Sequence, residues 1–210
     1  MPVQINYLPA LELAQKALRA LHPNRVADRS GAEVIHRGAE AEFRLALLGR
    51  RYRVAMPEAK VYDEATGSEA SSTTSLILLH YLANADGSPV EGEWIPFRDI
   101  PGGNVYERAF RRQSIEPLAH AFGHDPEALL KAAAALQGTS STLGDVSCVF
   151  QALPRLPMIC ILWRADEEQP AEASILFDAS APHYLPTEDL AALGRALAHG
   201  LIRAKGGSHE

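Results

Sequence analysis

The residues able to do chemistry in this 210-residue chain cluster most densely in Trp94–Phe110, written WIPFRDIPGGNVYERAF. Arg98 and Asp99 stand just before a Pro101-Gly102-Gly103 turn, and Asn104 and Tyr106 open the helix expected behind it. A glycine-rich turn entering a helix exposes backbone N–H groups that can hold an anion, and Arg98 would add charge there. The competing structural use is that Asn104 caps those donors itself while Arg98 pairs with a carboxylate. Elsewhere, His80 sits in the middle of the apolar run LILLHYL, and Asp178 and His183 follow an apolar strand. A histidine paired with a carboxylate can move protons. His80 or His183 with Asp99 or Asp178 would therefore make a hydrolase or transferase site. A packed His80 and a turn-forming Asp178 are the structural counterparts.

Metal chemistry has weaker footing. His120 and His124 have the i, i+4 spacing of two helical ligands, but Gly123 lies between them and Asp125-Pro126 starts a new element. A third ligand would have to come from elsewhere, such as His183 or Asp178, so no metal site is assigned. Asp166-Glu167-Glu168 reads as a solvated turn. The chain has no G-x-S-x-G elbow, no phosphate loop of the G-x-x-x-x-G-K-[ST] type, no G-x-G-x-x-G, no H-E-x-x-H and no CxxC. No cofactor follows from these residues, and neither does an enzyme class.

Composition narrows the field further. There are 20 basic and 26 acidic residues, a net charge of −6, which argues against a nucleic-acid partner because phosphates call for a basic face. Two local clusters, Arg50, Arg51 and Arg53 and then Arg108, Arg111 and Arg112, leave room for a small anionic ligand. No apolar run approaches the ~20 residues of a membrane span, and the first fifteen residues lack a signal-peptide pattern. Cys148 and Cys160 are too few for a disulfide framework or a cluster and lie in apolar runs. A cytoplasmic protein with no membrane partner is the expectation.

The elements that must position these residues are as follows. Leu11, Ala14, Leu18 and Leu21 share one face of a helix over Leu8–Leu21. Arg25–Glu40 reads as a turn-rich connection. Glu42–Leu48 and Arg51–Met56 alternate as a hairpin about Gly49-Arg50, in the manner of a II′ turn. Lys60–Ser72 reads as a surface loop, and Thr73–Ala83 as a buried helix capped by Ser71 or Ser72. Glu93–Ile100 is strand-like, at an edge because of Pro96. Short helices follow over Val105–Arg112, capped by Asn104, then Pro117–Phe122 and Pro126–Leu136, the last closing at Gly138. Gly138–Gly144 is a candidate mobile loop.

Asp145–Leu153, Met158–Trp163 and Ala173–Phe177 form a meander, in which Cys148 and Cys160 can face each other. Thr187 would cap a final helix over Glu188–Arg203. The fold class is α+β, an antiparallel β-sheet with packed helices, in a single domain over 1–204 with a frayed tail over 205–210.

Several phrases together resemble a known family: LLHYL (Leu78–Leu82), WIPFRDIPGG (Trp94–Gly103), LPRLP (Leu153–Pro157), LWRADEE (Leu162–Glu168), ILFDAS (Ile175–Ser180) and LPTEDL (Leu185–Leu190). They are similar to an uncharacterised bacterial domain of unknown function, in anaerobes often fused to an iron–sulfur cluster domain of the corrinoid-protein type. The resemblance implies an accessory role near one-carbon or redox metabolism, with no established catalytic residues. Two cysteines cannot supply a four-cysteine cluster, so an iron–sulfur or corrinoid link would run through a partner protein. The resulting expectation is a small-ligand or cofactor-associated binding protein, with candidate residues His80, Arg98, Asp99, Gly102, Gly103, Asn104, Tyr106, Asp178 and His183. The alternatives are the His–carboxylate enzyme and a structural homodimer.

Overall fold

In the computed structural model, residues 7–38 and 40–207 are described. The fold is α+β, with two antiparallel sheets where the sequence suggests one. The first sheet has the order β1-β2-β3-β4 and the second β5-β9-β8-β7-β6.

Helix α1 (Leu8–Arg19) starts with Pro9 in its first turn, where the missing N–H costs nothing. Arg25–Glu40 is more regular than its sequence suggests. It holds α2 (Pro23–Ser30), closed by Gly31 in the left-handed region, and β1 (Glu33–Arg37). Both escape a periodicity reading because little of either is buried: Val26 and Ser30 in α2, and no residue of β1.

Strands β2 (Glu40–Leu47) and β3 (Arg50–Ala55) form the expected hairpin. Leu47 pairs with Arg50, so the turn residues are Leu48 and Gly49, both at positive φ (50° and 79°). That is the I′ pattern rather than II′. Leu48 is held in this unusual conformation by its N–H, which donates to Ala152 O at 2.9 Å and joins the first sheet to the second. The expected loop after it contains β4 (Lys60–Asp63), an edge strand with Val61 and Asp63 turned inward.

Helix α3 (Ser72–Asn84) starts as predicted, with Ser71 accepting from the Thr74 N–H, and buries Leu76–Leu79, Tyr81 and Leu82. The Tyr81 hydroxyl donates to Ser30 O and accepts from the Arg155 N–H, while its ring stacks on Tyr184.

Strand β5 is short (Trp94–Pro96) and lies at the sheet edge that Pro96 requires; a 3₁₀ turn, Phe97–Asp99, follows. Helix α4 (Gly103–Phe110) continues through a π-helical segment, Arg111–Ile115, into α5 (Glu116–Phe122). The two helices expected here are thus one run. Pro117 has no N–H for the preceding turn, and the helix widens ahead of it.

Helix α6 (Glu127–Ala135) closes with Gln137, not Gly138, at positive φ. Gly138 is needed for space, because a Cβ there would lie 2.4 Å from the Phe150 ring. The expected mobile loop contains β6 (Thr139–Ser141).

Strands β7 (Val146–Leu153), β8 (Leu156–Trp163) and β9 (Glu172–Asp178) are the predicted meander, with Cys148 directly opposite Cys160. Seven of the eight residues of β8 are buried, as in a strand covered on both faces. Burial pushes both thiols up, Cys160 to about 12, which leaves them unreactive.

Helix α7 (Thr187–Gly206) then spans the molecule, burying Leu190, Leu193, Leu197 and Leu201. It runs past Arg203, so Lys205 and Gly206 are helical where fraying was expected; residues 208–210 lie outside the described ones. Its Gly194 lies against the rings of Phe110 and Phe177, which with Phe97, stacked on Phe110, form the aromatic centre of the core. Among the described residues no helix is long and apolar enough to cross a membrane.

Candidate functional site

The Trp94–Phe110 stretch is built as a joint. Phe97 is buried, while Arg98 and Asp99 are exposed and pair loosely with each other at 3.8 Å. Gly102 sits at φ +78° and caps α4 without a side chain, so Asn104 is not the cap; it lies exposed inside the first turn. Gly103 is fixed by space, because a Cβ there would be 1.9 Å from Phe97 O. The Thr187 hydroxyl donates to Pro101 O, so Thr187 ties α7 to the turn; it does not cap its own helix.

The next two residues of α7 do the same for other elements. Glu188 accepts from the Tyr106 hydroxyl at 3.4 Å, and Asp189 accepts from His80 Nδ1 at 2.5 Å. The first turn of α7 therefore gathers Pro101, Tyr106 and His80 around three consecutive residues. Acidic side chains at a helix N-terminus are favourable there in any case. The hydrogen bond to Asp189 raises the His80 pKa, against a smaller downward push from burial.

Asp178 and His183 have separate partners. Asp178 is wholly buried and accepts from the N–H groups of Glu91, Gly92 and Ser180 and from the Ser180 hydroxyl. Burial pushes its carboxyl up, but those four donors outweigh it and hold the pKa below its ordinary value. His183 Nδ1 donates to Asp86 at 2.7 Å on the surface. Asp86 is held down to about 2, first by the Ser88 N–H and hydroxyl and then by His183. Each histidine thus has a carboxylate, but it is Asp189 or Asp86, not Asp99 or Asp178.

His120 is on α5, which ends at Phe122, so His124 is off that helix. Among the described residues no three His, Cys, Asp or Glu side chains gather as metal ligands. Asp166 folds its own turn, accepting from the Glu168 and Gln169 N–H groups.

Two cavities bear on ligand binding. One, of about 230 Å³, is lined by Arg98, Arg111 and Glu107 over the Phe97 and Phe110 rings; His80 is not among its residues. The Glu107 Oε2 atom is buried there without a hydrogen-bond partner, and its charge opposes an anion at that point.

The larger cavity, about 770 Å³, lies between the β2–β3 turn, the end of α6 and the second half of α7. Its volume falls within the range of small-molecule sites. Leu47, Leu48, Leu136, Ala196 and Gly200 give it apolar walls, and Arg50, Arg51, Tyr52, Glu64 and Arg203 give it a polar rim. The Glu64 charge is offset by Arg51 and by Arg44 at 3.3 Å, an offset that Glu107 lacks among the described residues in the smaller cavity. The signal for it in the sequence is the Arg50-Arg51-Arg53 cluster beside Gly49; its partner Arg203 is 150 residues away and cannot be matched to it by spacing.

At the rim, Arg50 is salt-bridged to Asp63, and Arg51 to Glu64 at 3.1 Å and Glu33 at 3.7 Å. Burial raises the Asp63 pKa less than Arg50 and the Ala65 and Thr66 N–H groups lower it. Tyr52 is nearly buried, and that burial pushes its phenol up, while the charges of Arg50 and Arg203 pull it down.

No curated protein and no solved structure matches this chain. A family model does match, over residues 22–199, a span that takes in both sheets and every helix from α2 to the first part of α7. The chain belongs to that family, the domain of unknown function DUF3786.

Proposed function

We propose that the protein is a small-ligand-binding module and that its ligand occupies the 770 Å³ cleft between the β2–β3 turn and α7. The observation that carries this reading is the combination in one cavity of apolar walls with a few converging polar groups, the usual make-up of a small-molecule site. Around Trp94–Phe110, by contrast, Gly102, Gly103 and Tyr106 serve the turn and its tie to α7, and Arg98 and Asp99 lie exposed beside each other. An accessory role beside an iron–sulfur or corrinoid partner protein belongs to the same reading. Cys148 and Cys160 are both buried, so such a cofactor would be held by the partner.

The test is thermal unfolding with a panel of phosphometabolites, nucleotides, corrinoids and tetrapyrroles. A ligand present at about 100 times its Kd stabilises the fold by roughly 2.7 kcal/mol, a clear rise in Tm. Ala196→Phe, which fills the cleft from a half-buried position, is expected to fold and lose the rise. A rise that survives in Ala196→Phe would place the ligand elsewhere and end this reading.

A further inference from the structure

We infer that the cleft takes an amphipathic anion, a carboxylate or phosphate head on an apolar body; this inference rests on the reading of the cleft as a ligand site. Its arginines are not equivalent. Arg50 and Arg51 are already engaged by Asp63, Glu64 and Glu33. Arg203 has no carboxylate partner among the described residues, and it lines the same cleft as Tyr52. Asp63 makes no ion pair with it; that carboxylate accepts from Arg50 and from two backbone N–H groups.

The Tyr52 hydroxyl likewise makes no hydrogen bond to any described residue and lies at the cleft wall. A guanidinium without a carboxylate partner and a phenol O–H without an acceptor thus line one cleft. An oxyanion supplies that acceptor, and guanidinium recognises carboxylate and phosphate alike.

Helix C-termini carry partial negative charge, and α6 ends at this cleft. Two of its last carbonyls, Ala133 O and Ala134 O, are however taken by the N–H groups of Leu136, Gln137 and Gly138. Arg203 could also be read as the cation that offsets the C-terminus of α7. Lys205 shares that last turn with Arg203, so the offset does not depend on Arg203 alone; the Lys205 ammonium also donates to Ala121 O at 2.5 Å. Opposite the rim, Leu47, Leu48 and Leu136 offer only hydrocarbon, so the rest of the ligand is apolar.

The experiment compares two fluorescent probes with the same apolar body, anilinonaphthalene sulfonate and its neutral parent phenylnaphthylamine. The full chain is titrated with each, as wild type, Arg203→Ala, Arg203→Lys and Ala196→Phe. The sulfonate is expected to bind about tenfold tighter than the neutral probe, the scale of one charge-assisted hydrogen bond. Arg203→Ala abolishes that preference without changing the neutral probe's affinity, and Arg203→Lys restores part of it. Octanoate or octyl phosphate then displaces the sulfonate, octanol does not, and the better competitor identifies the head group.

Equal binding of the two probes, unchanged by Arg203→Ala, overturns the anion while leaving the cleft as a site. Displacement by octanol alone also overturns it. Sulfonate binding that Ala196→Phe leaves intact overturns both the cleft and the anion.

Discussion

The two ends of α7 use their polar residues in opposite ways. At the N-terminal end, Thr187, Glu188 and Asp189 each hold a different element, and every one is hydrogen-bonded. At the C-terminal end, Arg203 and Tyr52 face a cavity with their polar atoms unengaged. Asp189 and Arg203 are fourteen residues apart on one continuous helix, roughly 21 Å at 1.5 Å per residue. They are two places, not two walls of one pocket. A dense run of Arg, Asp, His, Gly and aromatic residues can be consumed in building a joint, while a sparse set of arginines near small residues stays available. Availability, more than chemical variety, marks the better candidate site.

Three measurements test this contrast. The largest effect is expected on the saturated side. Asp178→Ala leaves the buried Ser180 N–H and hydroxyl and the part-buried Glu91 and Gly92 N–H groups without their acceptor, and should cost about 3 kcal/mol in urea denaturation. A loss under about 1 kcal/mol would mean the Glu91–Gly92 segment is not held as described.

The second effect is smaller and depends on pH. His80 has a folded pKa above its ordinary 6.5, so its bond to Asp189 contributes fully below that value. The contribution fades as pH rises through the raised pKa. The Tm gap between wild type and His80→Gln should therefore be widest near about pH 5.5 and narrow towards about pH 8.5. A gap that widens with pH would contradict the pairing.

The smallest effect belongs to the open end. Arg203→Ala should shift stability by no more than about 0.5 kcal/mol, because an exposed side chain without a partner has little to lose. A larger loss would make Arg203 part of the scaffold and erase the contrast.

Much of this was legible in the sequence. The meander, the hairpin, α3 with its Ser71 cap, the edge position of Pro96 and the facing of Cys148 and Cys160 all follow from local pattern and turn chemistry. Of the elements that were not legible, α2 and β1 bury few side chains, so no periodicity betrays them, and β4 alternates but turns the charged Asp63 inward, where an apolar residue would have marked a strand. Two caps were misassigned for a common reason: Asn104 and Thr187 have the right side chains at the right places, but Gly102 caps by backbone geometry and Thr187 is taken by Pro101. The cleft was the least legible feature. It is made by Leu48, Leu136 and Arg203, residues that are distant in sequence and ordinary in type, and only tertiary packing brings them together.

The π-helical segment at Arg111–Ile115 has a consequence of its own. A helix advances by about 100° per residue, so widening one turn by a residue rotates all that follows by about that angle. That rotation aims Leu118 and Phe122, both wholly buried, into the core from a helix whose upstream half buries Phe110. Length and direction are therefore exchanged at this point of the chain. Removing a single residue here would hardly shorten the helix, but it would turn the apolar side of α5 outward and expose the polar side to the core.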